Sequence, residues 1–153
     1  MIDEILELTQ EGLDKIKTEL HQLKTVNRKE VANRLEAAKE LGDLSENADY
    51  QQAKDDSAWI EGRINQLNEI ISRAVVAQAP KIGIVSIGSI VTVRSNEKQS
   101  VLSIVGSTEA DPLIGKISSE SPIGNALIGA KTGESVMVNT PAGNVEYEVI
   151  DIE

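Results

Sequence analysis

The chain has no cysteine and no phenylalanine, and only one tryptophan, two tyrosines and one histidine among 153 residues. Without cysteine there is neither a disulfide framework nor a thiolate metal site, and a reducing compartment is permitted. So few aromatics exclude the stacking platforms on which single-strand binders seat their bases, and aliphatic side chains must fill any core. No run approaches the roughly 18 apolar residues of a membrane span. The acidic start Met1-Ile2-Asp3-Glu4-Ile5 lacks the apolar stretch of a secretory signal, so a soluble cytoplasmic protein with no membrane partner is expected. Proline is missing before Pro80, and that position marks a change of pattern. Basic residues are also scarce: the net charge is −10. Duplex DNA is therefore a poor main partner, because affinity for it rests on neutralising phosphates.

What is present before Pro80 is helical periodicity. Leu13, Ile16, Leu20 and Leu23 are spaced 3-4-3, and the series resumes after Asn27 at Val31, Leu35 and Ala38. This spacing predicts one helix over about 10–41. Tyr50, Ala53, Ser57, Ile60, Ile64, Leu67, Ile71 and Ala74 alternate by 3 and 4 and predict a second helix of similar length. The break at Gly42 is too short for a crossover, so the helices must run antiparallel. About 30 residues at 1.5 Å each make an arm of roughly 45 Å. Asn27 either faces the partner helix as a register-fixing polar residue or marks a break in the first helix. Trp59, beside Ile60, is expected to pack where the coil meets the second domain, and His21 to be a surface residue.

After Pro80 the pattern becomes β-rich. Strands are predicted at 88–94, 100–105, 134–139 and 144–151, the last alternating Val145, Tyr147 and Val149 with Glu146 and Glu148. Thr140-Pro141-Ala142-Gly143 reads as the turn of a closing hairpin. Ser121 and Pro122 suit the cap and first turn of a short helix. The fold class is α+β: an N-terminal antiparallel two-helix coiled coil (1–78), then a small antiparallel β-sheet plus one helix (79–153).

The run Gly42-Asp43-Leu44-Ser45-Glu46-Asn47-Ala48-Asp49-Tyr50 occupies the tip of the hairpin. A tip has no core of its own, so its carboxylates are presented to something outside the protein. Asp43 and Glu46 have two readings. One is a capping box, with Asp43 as N-cap and Glu46 reaching back to it. The other is a pair of hard oxygen ligands for Mg²⁺, in a stretch without Lys or Arg between residues 40 and 53. Two carboxylates are too few for a complete Mg²⁺ site, so a partner would supply the rest. Both readings can hold together. With no Cys nucleophile, one His and no Gly-rich phosphate loop, the chain is expected to lend groups to another enzyme instead of acting alone.

The stretches 36–50, Glu61-Gly62-Arg63-Ile64, Ser121-Pro122-Ile123, Ala126-Leu127-Ile128-Gly129 and Thr140-Pro141-Ala142-Gly143 resemble the bacterial Gre family of transcript-cleavage factors. The resemblance runs through nearly the whole chain in order, and the tip is its most specific part. It implies that the C-terminal domain resembles the FKBP fold and docks on bacterial RNA polymerase, while the coil enters the secondary channel. It further implies that Asp43 and Glu46 share an Mg²⁺ with the polymerase and promote cleavage of the 3′ end of nascent RNA in backtracked complexes. Arg28, Lys29 and Arg34 match where RNA contact is expected, Asn47 matches at the tip as a residue to orient the RNA or the acids, and Ser121, Pro122 and Ile123 match the docking region. Arg28, Lys29 and Arg34 read equally as a solvated face paired with Glu30 and Glu36, Asn47 as a solvated first-turn residue, and Tyr50 as seam packing. The sequence departs from the family pattern at Gly124, Asn125 and Ala130. A monomer that binds no Mg²⁺ stably by itself is expected, with weak nucleic-acid contact. The rivals are a Gre-like inhibitor of the polymerase and an isomerase or holdase; against the isomerase, residues 81–153 carry only Tyr147 as an aromatic.

Overall fold

The computed structural model describes residues 4–43 and 47–153. They form two compact units, Asp14–Arg73 and the combination of Met1–Leu13 with Ala74–Glu153. The expected boundary at 78/79 differs from this division because strand β1 (Leu6–Leu8) pairs in parallel with β2 (Ala74–Val76). A parallel pair needs a long connection between its strands, and here the whole hairpin supplies it.

The helical unit is one hairpin. Helix α1 (Gln10–Gln22) continues through a π-helical turn, Leu23–Asn27, into α2 (Arg28–Glu40), and α3 (Ala48–Arg73) returns. The first helix is thus not uniformly α. Leu23, Asn27, Val31 and Leu35 are separated by three successive steps of four, which a 3.6-residue period cannot keep on one face. The π-turn absorbs the extra residue and returns Val31 and Ala38 to the seam. Leu23, Val31, Ile60, Ile64 and Leu67 form the buried core, with Ile16, Leu20, Leu35 and Ile70 packed against it. Antiparallel pairing is visible in the ion pairs: Arg28 meets Glu61 and Arg34 meets Asp56, so one number rises as the other falls. Asn27 is half-buried at the end of the π-turn.

The second unit is built on a five-stranded sheet in the order β5-β4-β3-β7-β6, formed by β3 (Ile90–Ser95), β4 (Lys98–Val105), β5 (Lys116–Ser118), β6 (Ser135–Thr140) and β7 (Gly143–Ile152). Four strands lie close to their predicted positions. The sheet is mixed, not wholly antiparallel, because β5 pairs in parallel with β4. The β3–β4 turn uses Asn96 and Glu97, both at positive φ, and β6–β7 closes with Thr140 opposite Gly143. One face of the sheet buries Val91, Val93, Ile104 and Val149 against Val85, Ala130 and Leu127, the last residue of helix α4 (Pro122–Leu127). Ala130 is therefore a core residue.

The chain entering α1 is fixed in the same unit. Thr9 caps α1, accepting from Gly12 N–H at 3.0 Å, while its own N–H donates to the Glu109 carboxylate at 2.9 Å and its hydroxyl donates to the other carboxylate oxygen. Gly106 N–H donates to the same carboxylate at 3.2 Å, so Glu109, 100 residues from Thr9, satisfies backbone donors from two segments distant in the chain.

Candidate functional site

The tip is built by the endings of α2 and α3. At the end of α2, Leu41 N–H donates to the Ala38 carbonyl at 3.3 Å, and Gly42 N–H donates to Lys39 at 3.4 Å. Gly42 has φ +115°, a left-handed conformation that glycine accepts without steric cost at the end of a helix. The next residue, Asp43, is exposed.

Helix α3 begins at Ala48, with Asn47 in the capping position. Asn47 Oδ1 accepts from Tyr50 N–H at 3.0 Å, and its Nδ2 donates to the Ala38 carbonyl at 2.7 Å. The reading of Asp43 as N-cap of the second helix is thereby corrected. Asp43, Ser45 and Asn47 are all good N-cap types, and the residue nearest the helix took the role. Asn47 is not a solvated first-turn residue either, since both ends of its amide are engaged. Glu46 lies outside the described residues. Tyr50 is half-buried, with the Lys54 ammonium 5.8 Å from its ring centre.

The electrostatic character of the tip follows from its sequence. Lys39 and Lys54 bound a stretch that carries only acidic charges, Glu40, Asp43, Glu46 and Asp49. Among the described residues no three His, Cys, Asp or Glu side chains gather closely enough to hold a metal. The Asp43 carboxylate is a hard oxygen donor of the kind that Mg²⁺ takes.

Farther along the hairpin, the basic residues are not an open patch. Arg28 donates to both carboxylate oxygens of Glu61, at 2.8 and 2.7 Å. Arg34 donates to Asp56 at 2.8 Å, and Asp56 also accepts from Gln52 at 2.9 Å. The hydrogen bond from Arg28 holds the Glu61 carboxyl below its ordinary pKa, and Gln52 followed by Arg34 does the same for Asp56. The arginines thus pair across the hairpin and not with Glu30 and Glu36, their expected partners on the same helix. Lys29 is exposed. Trp59 is 65% exposed and lines a shallow cleft with Asn27, Arg34 and Asp56 within the hairpin, contrary to the junction packing expected of it.

In the sheet unit, Ser121, Pro122 and Ile123 do come together. Ser121 caps α4: its hydroxyl oxygen accepts from Gly124 N–H at 3.1 Å, and the hydroxyl donates to the Ser118 carbonyl at 2.7 Å. These residues form one wall of an apolar groove of about 410 Å³ whose other walls include Ala110, Pro112, Ile117 and Pro141. Sequence reasoning did not assign Ala110, Pro112 or Ile117 to this place. Pro112 and Ile117 lie on short elements with no periodicity to reveal them. Leu113, next to Pro112, is 96% exposed.

Residues 6–76 match the family described as "Transcription elongation factor, N-terminal", and residues 79–153 match "Transcription elongation factor, GreA/GreB, C-term". Transcription elongation factor GreA of Clostridioides difficile (strain 630) is 49% identical over 149 residues, which cover 95% of this chain and 94% of that one. The GreA of Alkaliphilus oremlandii (strain OhILAs) is 47% identical over 156 residues, covering 99% and 98%. Among solved structures, GreA factor homolog 1 of Thermus thermophilus is similar at 29% identity over 98% of this chain and 99% of that one, with a TM-score of 0.45.

Proposed function

The chain belongs to the GreA/GreB family of transcription elongation factors, and on that premise we propose that it acts on bacterial RNA polymerase by bringing the acids of its tip to the polymerase active site. The observation that carries this reading is the hairpin: a pair of long helices held by a buried aliphatic seam and ending in the exposed carboxylate of Asp43. The 26 residues of α3 alone span about 39 Å, enough to reach a recessed site.

In this reading the groove beside Ser121, Pro122 and Ile123 docks on the polymerase. Its walls are apolar and lack aromatic side chains, which suits a protein surface better than a prolyl-isomerase substrate. Asp43 and Glu46 supply oxygen ligands to an Mg²⁺ shared with the polymerase; the chain holds no such ion stably alone. When bound, the ion activates water and stabilises charge during cleavage of the RNA 3′ end in a backtracked complex. The chain's own contribution is to present the two acids and to keep Lys and Arg away from them. RNA contact falls first to Lys29, because Arg28 and Arg34 would have to leave Glu61 and Asp56. The protein works as a cytoplasmic monomer and accessory factor, with the polymerase as the nuclease.

The test is addition of the protein to a backtracked polymerase complex with Mg²⁺. Release of short 3′ fragments, rising with factor concentration and followed by renewed elongation, supports the reading. Slowed synthesis with no fragments would instead identify a channel-blocking inhibitor.

A further inference from the structure

We propose that Asn47 is a positioning residue for the tip: its one side-chain amide ties the last turn of α2 to the first turn of α3 and so fixes the ends of the loop that carries the acids. The proposal rests on the transcript-cleavage reading above. The loop runs from Leu41 to Asn47 between the two helices, and it contains Gly42 in a left-handed conformation. The ends of a connection between two helices are held against the conformational entropy of the chain.

Asn47 holds both ends. Its Nδ2 donates to the Ala38 carbonyl at 2.7 Å, and its Oδ1 accepts from Tyr50 N–H at 3.0 Å. The Ala38 carbonyl belongs to the last turn of α2, where it also accepts from Leu41 N–H at 3.3 Å, and Ala38 itself is buried. The Asn47 bond is the shorter of the two that reach this carbonyl, and it is the one that links α2 to α3. One donor and one acceptor partner also fix which way round the amide lies.

Few side chains can do both jobs. A carboxylate accepts but does not donate, and a serine hydroxyl has shorter reach. Asn47→Asp therefore separates the roles: it keeps a good N-cap for α3 and removes the donor to Ala38. Asn47→Ala removes both. The acids themselves are untouched in either variant.

Two readouts on the full-length chain test this. Because the chain has no cysteine, spin labels attached through Lys39→Cys and Gln51→Cys report the separation of the helix ends with no background site. The parent should give one narrow distance distribution and Asn47→Asp a broader one, with helicity unchanged. In the backtracked polymerase assay, Asn47→Asp should lower the cleavage rate at saturating factor about fivefold, the rate equivalent of one hydrogen bond. The factor concentration giving half the maximal rate should stay the same, since docking lies elsewhere on the chain. An unchanged distance distribution overturns the proposal, as does an unchanged saturated rate. A loss explained wholly by a higher half-maximal concentration, or by lost helicity, also overturns it. If the parent protein gives no cleavage, the functional reading fails on its own account, and the spin-label distances still decide whether Asn47 holds the tip.

Discussion

Gly124→Ala should damage the groove and the stability of the sheet unit together. A Cβ at this position would lie 2.8 Å from the Ser118 carbonyl carbon, closer still to its oxygen, and 3.1 Å from Ser119 Cα. These atoms are backbone, so relief requires α4 or the 118–119 segment to move. The same Ser118 carbonyl accepts from Ser121 N–H at 3.0 Å and from the Ser121 hydroxyl at 2.7 Å. Overpacking costs about 1–3 kcal/mol, and each strained hydrogen bond about 1 kcal/mol. Replacing glycine by alanine inside a helix returns up to about 1 kcal/mol. The net loss is about 3 kcal/mol, which for a domain of this size lowers Tm by roughly 15 °C. Calorimetry is the suitable assay, because the single Trp lies in the hairpin and does not report on this unit. Polymerase affinity should fall as well, since Ser121 and Pro122 line the groove. A variant that melts at or above the parent temperature would refute the close-packing argument.

Other outcomes follow from the seam and its ion pairs. Leu67 is fully buried in the hairpin core, so Leu67→Ala should cost about 2–5 kcal/mol and lower the melting temperature followed by circular dichroism at 222 nm. Glu61 and Asp56 have folded-state pKa values below their ordinary ones, so their contribution is present above the unfolded value and is lost as pH falls through the folded one. Hairpin stability should thus decline on acidification below about pH 4.5. Glu61→Gln should flatten that decline, and a parent whose stability holds steady to pH 3 would contradict it. Arg28 and Arg63, whose pKa values are raised by hydrogen bonds to Glu61 and Glu19, stay charged throughout and add no slope in that range.

The seam was legible because apolar residues recur at helical spacing, and the strands of β3, β4, β6 and β7 because alternation and turn residues frame them. The π-turn left a trace, three successive steps of four from Leu23 to Leu35, but such a trace also fits a helix break at Asn27. Strands β1, β2 and β5 have three residues each, too few for a period to register, and they exist through parallel pairing with distant partners. At the tip, the sequence marked the acids by the absence of Lys and Arg. It could not choose the cap among Asp43, Ser45 and Asn47, because that choice depends on where α3 begins. The basic patch was misleading for a physical reason. Sequence spacing shows neighbours on one helix, whereas Arg28 and Arg34 found their acids across the hairpin. The groove walls at Ala110, Pro112 and Ile117 come together only when β5 pairs with β4.

The most direct test of the central claim is the Mg²⁺ dependence of RNA cleavage in a backtracked polymerase complex, comparing the parent protein with its Asp43→Asn/Glu46→Gln form. The amide changes preserve side-chain size and remove the charged oxygen ligands. The account predicts that the parent accelerates 3′-fragment release at Mg²⁺ concentrations where polymerase alone is slow, while the double variant binds the polymerase equally well, keeps its helicity and gives no acceleration. Equal acceleration by both proteins would contradict the assignment of the tip acids.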